Sequence, residues 1–339
     1  MTTKSPSERH LIELMTGFWK TQAVFIATEL GIVDRIAETN RPSAAELALA
    51  LQLDADALGR LLDYLVGLGV ADGDDATGYA LTDVGALLRS DSPSAMRDHA
   101  RLYGDQFYRA WGALTHSLRT GGSAFTLVHR APLFSYLSEN PQVSESYERM
   151  MVAGLPFFQA VSEVYDFSDA RRIVDVAGGH GALLDQILTA NPGPSAVLFD
   201  APHVIEEASR YPIASEHAER CERIGGDFFE SVPENGDVYL LSRILHCFDD
   251  EACHRILSNC RQAMAPDAKL VILERVITDK NAALALGFNM HMLVVLGGGR
   301  ERSEAEYAAM LDKAGFSLGT VHSLPLETHL LVAVPQNHG

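Results

Sequence analysis

"RRIVDVAGGHGALLDQIL", residues 171 to 188, decides the fold. An aliphatic, β-branched run ends in Asp175, crosses Ala177, Gly178, Gly179, His180 and Gly181, and enters a segment with apolar residues at helical spacing. This order predicts a strand, a glycine turn and a helix, with bare backbone and a helix N-terminus facing a ligand. A second run, "SAVLFDAP" at 195–202, ends in Asp200, a carboxylate able to accept hydrogen bonds from both hydroxyls of a ribose. The phosphate fingerprint G-x-G-x-x-G is missing, so an adenosine ligand without a pyrophosphate fits better than a dinucleotide. A third run leads to Gly226, Asp227 and Phe228, an acid for the adenine amino group and an aromatic ring for its face.

Beyond about residue 170, apolar runs at "RRIVDVA", "SAVLFD", "DVYLLSRIL" and "KLVILERVI" alternate with helical stretches at 182–190, 203–210, 251–264 and 303–314. The alternation predicts an α/β fold, a Rossmann-like doubly wound sheet. Residues 8 to about 160 instead carry mainly helical periodicity. Within them Ser43 with Glu46 predicts a capping box, Asp54 a second cap, and "GVADGDDATGYALT" at 69–82 a short hairpin, the order of a winged-helix unit. Its second helix offers Arg60 among acids, which favours a scaffold or pairing role over reading DNA. The stretch "LIELMTGFWKTQAVFIATEL" at 11–30 is apolar over more than one stripe and predicts dimerisation. Domains are expected at 1–110 (winged-helix dimerisation), 111–165 (a helical linker contributing to a substrate pocket) and 166–339 (catalytic).

The 339 residues carry 27 basic and 45 acidic side chains, a formal charge of −18, which opposes binding to nucleic acid or anionic membrane. Charged residues interrupt the N-terminal apolar stretch, and no cleavage site follows it, so neither a signal peptide nor a membrane span is expected. The four cysteines lack a C-x-x-C pair and zinc spacing, consistent with reduced thiols in a cytoplasmic protein.

Taken together, "VDVAGGHG", "LFDAP", "GGDFFESVPENGDVYLLSRILHCFDDEAC", "LVILERVI" and "GGGRERSEAEYAAMLDKAGF" resemble class I S-adenosylmethionine (SAM)-dependent O-methyltransferases of the plant caffeate and bacterial polyketide type. "TGFWKTQAVFIATELGI", "YGDQFYRAW" and "GDVYLLSRI" look most like bacterial phenazine methyltransferases of antibiotic biosynthesis. The resemblance implies SAM as cofactor, S-adenosylhomocysteine as product, no metal, and a homodimer. It implies that Asp175, Gly178, Gly179 and Gly181 bed the amino-acid moiety, Asp200 the ribose, and Gly226, Asp227 and Phe228 the adenine, with Ser242 and Arg243 near the methionine end. His246 falls on the catalytic base, with Glu274 and Glu301 as the acids flanking it. Two positions depart from the family: Ala177 replaces a glycine, and Cys247 stands where an acid usually follows the base.

The chemistry supports those residue types independently. Methyl transfer from a sulfonium is an in-line displacement governed by orientation. A phenol with pKa near ~10 needs its proton removed, a task for histidine, and a carboxylate on the other ring nitrogen fixes the tautomer. Taken alone, His246 reads equally as a structural histidine, Glu274 as a strand-end charge and Glu301 as a helix-start carboxylate. Phe107, Trp111, Met150, Phe157, Asn289 and Met292 are candidates to line an aromatic acceptor pocket, with core packing as their other reading. The expected reaction is O-methylation of a phenolic aromatic metabolite, a hydroxyphenazine or similar polycycle. The alternatives are N-methylation of a phenazine-type heterocycle and a SAM-sensing winged-helix regulator.

Overall fold

The computed structural model describes residues 6–152, 156–211, 213, 216–278 and 282–336. The chain divides into two compact units, Met1–Ala113 with Leu127–Gly154, and Leu114–Thr126 with Leu155–Gly339. No helix among the described residues is long and apolar enough to cross a membrane.

In the first unit, Ser43 and Glu46 make the capping box that starts the helix Ala44–Leu51. Asp54 caps Ala55–Gly67 by accepting from Ala57 N at 2.8 Å. That second helix buries Leu58, Leu62 and Leu65, a four- and three-residue spacing that lays one face on the core. The hairpin follows as β1 (Ala71–Asp74) and β2 (Gly78–Leu81), antiparallel, with Asp74 Oδ1 accepting from the backbone of Ala76 and Thr77 inside the turn. On the helices Pro6–Met15 and Gly17–Glu29, Leu11, Leu14, Met15, Phe18 and Trp19 remain exposed.

The second unit is built on one sheet. Its strands are β3 (Arg172–Val176), β4 (Ser195–Asp200), β5 (Cys221–Gly225), β6 (Val238–Ser242), β7 (Lys269–Ile277), β8 (Arg302–Ser303), β9 (Phe316–Ser323) and β10 (Thr328–Pro335). The order is β5-β4-β3-β6-β7-β10-β9, with β8 paired to the end of β7. β3 to β7 run parallel, and β10 enters antiparallel between β7 and β9. Strand order reverses at β3, which pairs with β4 on one side and β6 on the other, and the crevice at such a point is where doubly wound sheets bind ligands. Two apolar clusters cover the two faces. Leu270 and Ile272 point into one, Val271 and Leu273 into the other.

Two readings of the sequence need correction. The run "DVYLLSRIL" continues through Leu245, but the strand stops at Ser242. Arg243 adopts φ +58 and the chain closes into a 3-10 turn, Leu245–Cys247, that carries His246. The antiparallel pair β9 and β10 lies beyond the last element read from sequence. Its alternation is broken by a register shift between Leu331 and Ala333, which blurs the period-2 signal.

Ala177, where the resembled family has glycine, sits at φ +58 with its N–H donated to Phe199 O at 2.8 Å. A left-handed alanine costs about 1–2 kcal/mol, and glycine loses roughly 0.4–1 kcal/mol through a freer unfolded chain. Ala177→Gly is therefore expected to stabilise the fold by up to about 1.6 kcal/mol and to raise the denaturant midpoint accordingly. A lowered midpoint in urea unfolding contradicts this account of the turn.

Candidate active site

The turn after β3 lies directly over a buried acid. A Cβ on Gly178 would come within 2.5 Å of Asp175 Oδ2 and 2.6 Å of Leu198 Cδ1, so only glycine lets the backbone pass so close. Asp175 is 1% exposed and neither carboxylate oxygen has a hydrogen-bond partner among the described residues. Burial, with the charge of Asp200 added, pushes its pKa up to about 8. Asp200, at the end of β4, accepts from Gly179 N at 2.8 Å and Ala201 N at 2.7 Å. Burial nonetheless raises its pKa, outweighing those two bonds. Gly226 N donates to Asp200 O at 2.9 Å and so ties the end of β5 to the same edge. Asp227 is exposed and accepts from Phe229 N at 2.8 Å, while Phe228 is half-buried and meets Phe248 edge-on at 5.9 Å. Ser242 at the end of β6 has a buried hydroxyl with no partner. The Arg243 guanidinium lies 5.6 Å from the Phe158 ring and 5.9 Å from that of Phe157.

An orphaned carboxylate, an orphaned hydroxyl and Asp200 thus converge on the C-terminal edge of β3, β4 and β6. The set fits SAM, with acceptors for a cationic amino acid and a ribose.

The second constellation lies beyond β6. Pairing of β6 with β7 ends at Ser242 and Leu273, which leaves Glu274 free of a β6 neighbour and able to turn beneath the 3-10 turn. Its Oε1 accepts from Leu245 N at 2.8 Å and lies 3.3 Å from His246 N. Its Oε2 lies 3.2 Å from His246 Nδ1, and Glu301 Oε1 lies 3.4 Å from the same nitrogen, both too oblique for well-aligned hydrogen bonds. The side chains of both acids are fully buried and that of His246 is 14% exposed. Burial alone pulls His246 toward the neutral form, but the carboxylate of Glu274, with Cys247 and Glu301 behind it, overcomes this and holds its pKa well above 6.5. Glu274 is raised above the ordinary carboxylate range, by burial first and by Glu301 as well.

The structure brings His246, Glu274 and Glu301 together within the second unit. Asn289 and Met292 lie on the helix Ala282–Leu296 of that unit, where Asn289 Oδ1 accepts from Glu301 N at 3.0 Å. Asn289 thereby supports the acid. Phe157 is buried, packs with the sheet's core, meets Phe158 edge-on at 4.8 Å and faces the Arg243 guanidinium at 5.9 Å. Phe107, Trp111 and Met150 belong to the first unit, where Phe107 and Met150 are buried and Phe107 meets Tyr103 edge-on.

Three neighbours, Arg275, Arg302 and Tyr307, escape the sequence reading as site residues, whereas His291 is legible there as a possible substrate contact. Arg275 places its guanidinium 3.7 Å from the Phe288 ring centroid and 3.4 Å from Glu301 Oε1. Arg302 is buried against the base turn, and Tyr307 is buried with its hydroxyl unpaired. His291 is buried, and its pKa is pushed down to about 4 by desolvation and then by the charge of His246. A usable signal existed for the arginines, since each acid is followed at once by one, in "LERVI" and in "RERS".

Residues 111–317 match the O-methyltransferase domain family, and residues 12–91 match the O-methyltransferase dimerisation domain. The chain belongs to the O-methyltransferase family. It is 63% identical over 326 residues to a 3-amino-4-hydroxybenzoate 4-O-methyltransferase of Streptomyces cremeus, spanning 96% of this chain and 89% of that protein. It is 35% identical to the phenazine-1-carboxylate N-methyltransferase of Pseudomonas aeruginosa, over 96% of each chain. The crystal structure of LaPhzM matches with a TM-score of 0.89 and 35% identity, covering 98% of this chain and 100% of that one. The methyltransferase is thus of the bacterial secondary-metabolite type, and SAM is the methyl donor of its family.

The geometry carries a direct electrostatic expectation. The imidazole of His246 should titrate above 6.5, and Glu274→Gln should bring the midpoint down, because the desolvation that opposes its charge remains while the largest stabilising charge is gone. Histidine-resolved NMR of wild type and variant checks both values. A midpoint that does not move removes Glu274 as the cause.

Proposed function

We propose that this methyltransferase transfers the methyl group of SAM to the phenolic oxygen of a small hydroxybenzoate carrying an ortho amino group, with His246 as general base. The observation that carries the base assignment is the pair of buried carboxylates on a single nitrogen, Nδ1 of His246, which leaves Nε2 for the acceptor. The acceptor class rests on the relative at 63% identity, and it displaces the hydroxyphenazine suggested by sequence motifs, whose namesakes stand at 35%.

SAM supplies an electrophilic methyl group, and handling the acceptor's proton falls to the chain. A phenol near ~10 gives its proton to a histidine near ~6.5 only uphill, at about 1.4 kcal/mol per unit of difference. Raising the pKa of His246 narrows that gap. The same shift extends the protonated range of the resting ring upward, so the active neutral fraction grows as pH rises toward the raised value. Asp175 with Gly178, Gly179 and Gly181 is assigned to the methionine moiety, Asp200 to the ribose, and Gly226, Asp227 and Phe228 to the adenine side. Ser242 and Arg243 are assigned to the sulfonium end. The exposed Leu11, Leu14, Phe18 and Trp19 lie in or beside the dimerisation domain and are assigned to a homodimer contact.

Incubation with SAM and 3-amino-4-hydroxybenzoate is expected to give the methyl ether, with the methyl placed on oxygen by NMR. Hydroxyphenazines should be poorer acceptors. N-methyl product, or a preference for the phenazine, overturns the acceptor reading. His246→Ala should lower kcat by about 10²- to 10⁴-fold while S-adenosylhomocysteine affinity changes little. In wild type, kcat/KM should climb with pH to a midpoint above 6.5. Unaltered turnover in the alanine variant removes His246 as the base.

A further inference from the structure

We propose that Arg302 is a positioning residue that locks the turn carrying His246 to the segment carrying Glu301. The inference rests on the reading of His246 as the base. Arg302 is 1% exposed. Its Nη1 donates to Leu245 O at 3.0 Å and to Arg300 O at 3.3 Å, and its Nη2 donates to Phe248 O at 3.0 Å. Nε and Nη2 also reach Asp250 Oδ1 at 3.1 and 2.7 Å. Leu245 and Phe248 bracket the 3-10 turn, so one planar guanidinium grips the turn from both sides of His246.

The rest of the segment closes on the same turn. Arg300 N donates to His246 O at 2.9 Å, and a Cβ on Gly299 would sit 2.7 Å from that oxygen, an approach only glycine allows. Between these contacts and those of Arg302, Glu301 sends its carboxylate to the His246 ring. The backbone of residues 299–302 is therefore fitted against the turn, and the acid is aimed by the fit. Desolvating a guanidinium this fully is costly, and its carboxylate partner among the described residues, Asp250, has a side chain 67% exposed. Backbone carbonyls of the base turn supply most of its remaining contacts, as expected of a group whose task is to hold that turn.

A lysine here offers a single point of attachment where arginine offers a fork. Arg302→Lys and Arg302→Met are compared with wild type for S-adenosylhomocysteine affinity, thermal midpoint, kcat, KM and the pH profile. Kcat is expected to fall by about 10- to 100-fold with KM and S-adenosylhomocysteine affinity little changed, lysine being the milder. The ascending limb of kcat/KM should move to lower pH, because a displaced Glu301 no longer helps to hold the proton on His246. In a His246→Ala background, adding Arg302→Met should cost nothing further. Asp250→Asn, which spares the carbonyl contacts and loosens only the outer anchor, provides a reading should the methionine variant not fold, with a smaller shift in the same direction. A folded variant with unchanged kcat and pH limb overturns the proposal, and so does a further loss in the His246→Ala background. Full turnover of His246→Ala itself instead removes the underlying base assignment, whatever Arg302 does.

Discussion

Two buried carboxylates on one imidazole are the constraint around which this site is arranged. Each carboxylate taken from water costs several kcal/mol unless charge and hydrogen bonds replace its hydration. Glu274 recovers part of this through the N–H of Leu245 and the proximity of His246. Glu301 lies near His246 and Arg275. With the imidazole protonated, two negative groups face two positive ones. Removing the ring proton leaves an uncompensated buried charge, and this is why His246 holds its proton so far above the ordinary value.

The sheet makes that arrangement possible. Because β7 outruns β6 by several residues, its far end is free to build a second site without disturbing the crevice at β3 and β4. Inward-pointing residues of β7 alternate faces, so Glu274 reaches the side of Ile272, where Tyr307 and Cys253 also pack. The short β8 pairs with the end of β7 and brings Arg302 back alongside it, which places the neighbouring Glu301 near the same histidine from the opposite end of the chain segment. The crevice at β3 and β4 and the His246 cluster are thus carried by strands of one sheet. That suits a displacement in which orientation supplies much of the rate.

Much of this was legible in the sequence, for identifiable reasons. β3, β4 and β7 are short aliphatic runs closed by an acid or a turn, and the glycine turn after β3 announces its close approach in its composition. Ser43, Glu46 and Asp54 did what capping residues do locally, independent of the rest of the fold. The end of β6 was not legible, because Ile244 and Leu245 extend the apolar pattern and only a tertiary contact, the Glu274 carboxylate on the Leu245 N–H, bends the chain. Phe157 and Asn289 show the same limit. An aromatic and an amide on helices are legible as candidates, but their tertiary partners, the Arg243 guanidinium over Phe157 and the Glu301 N–H on Asn289, are not.

With the proposed aminophenol as acceptor, the buried acids acquire a chemical use. An aromatic amine attacks through a lone pair it already has, and gains nothing from a base at the moment of attack. A phenol gains a great deal, since its oxygen becomes strongly nucleophilic only as the proton leaves. An enzyme meeting both groups on adjacent ring carbons can favour oxygen by spending its stability on a basic site at one position. In the proposed function His246, with its raised proton affinity, is such a site, and its value depends on the acceptor ring being held so that the phenolic proton, rather than the amine, meets Nε2. Selectivity for oxygen and the alignment of residues 245–248 with 299–302 are then one requirement, because a loosened turn weakens the base and blurs the choice between neighbouring nucleophiles together.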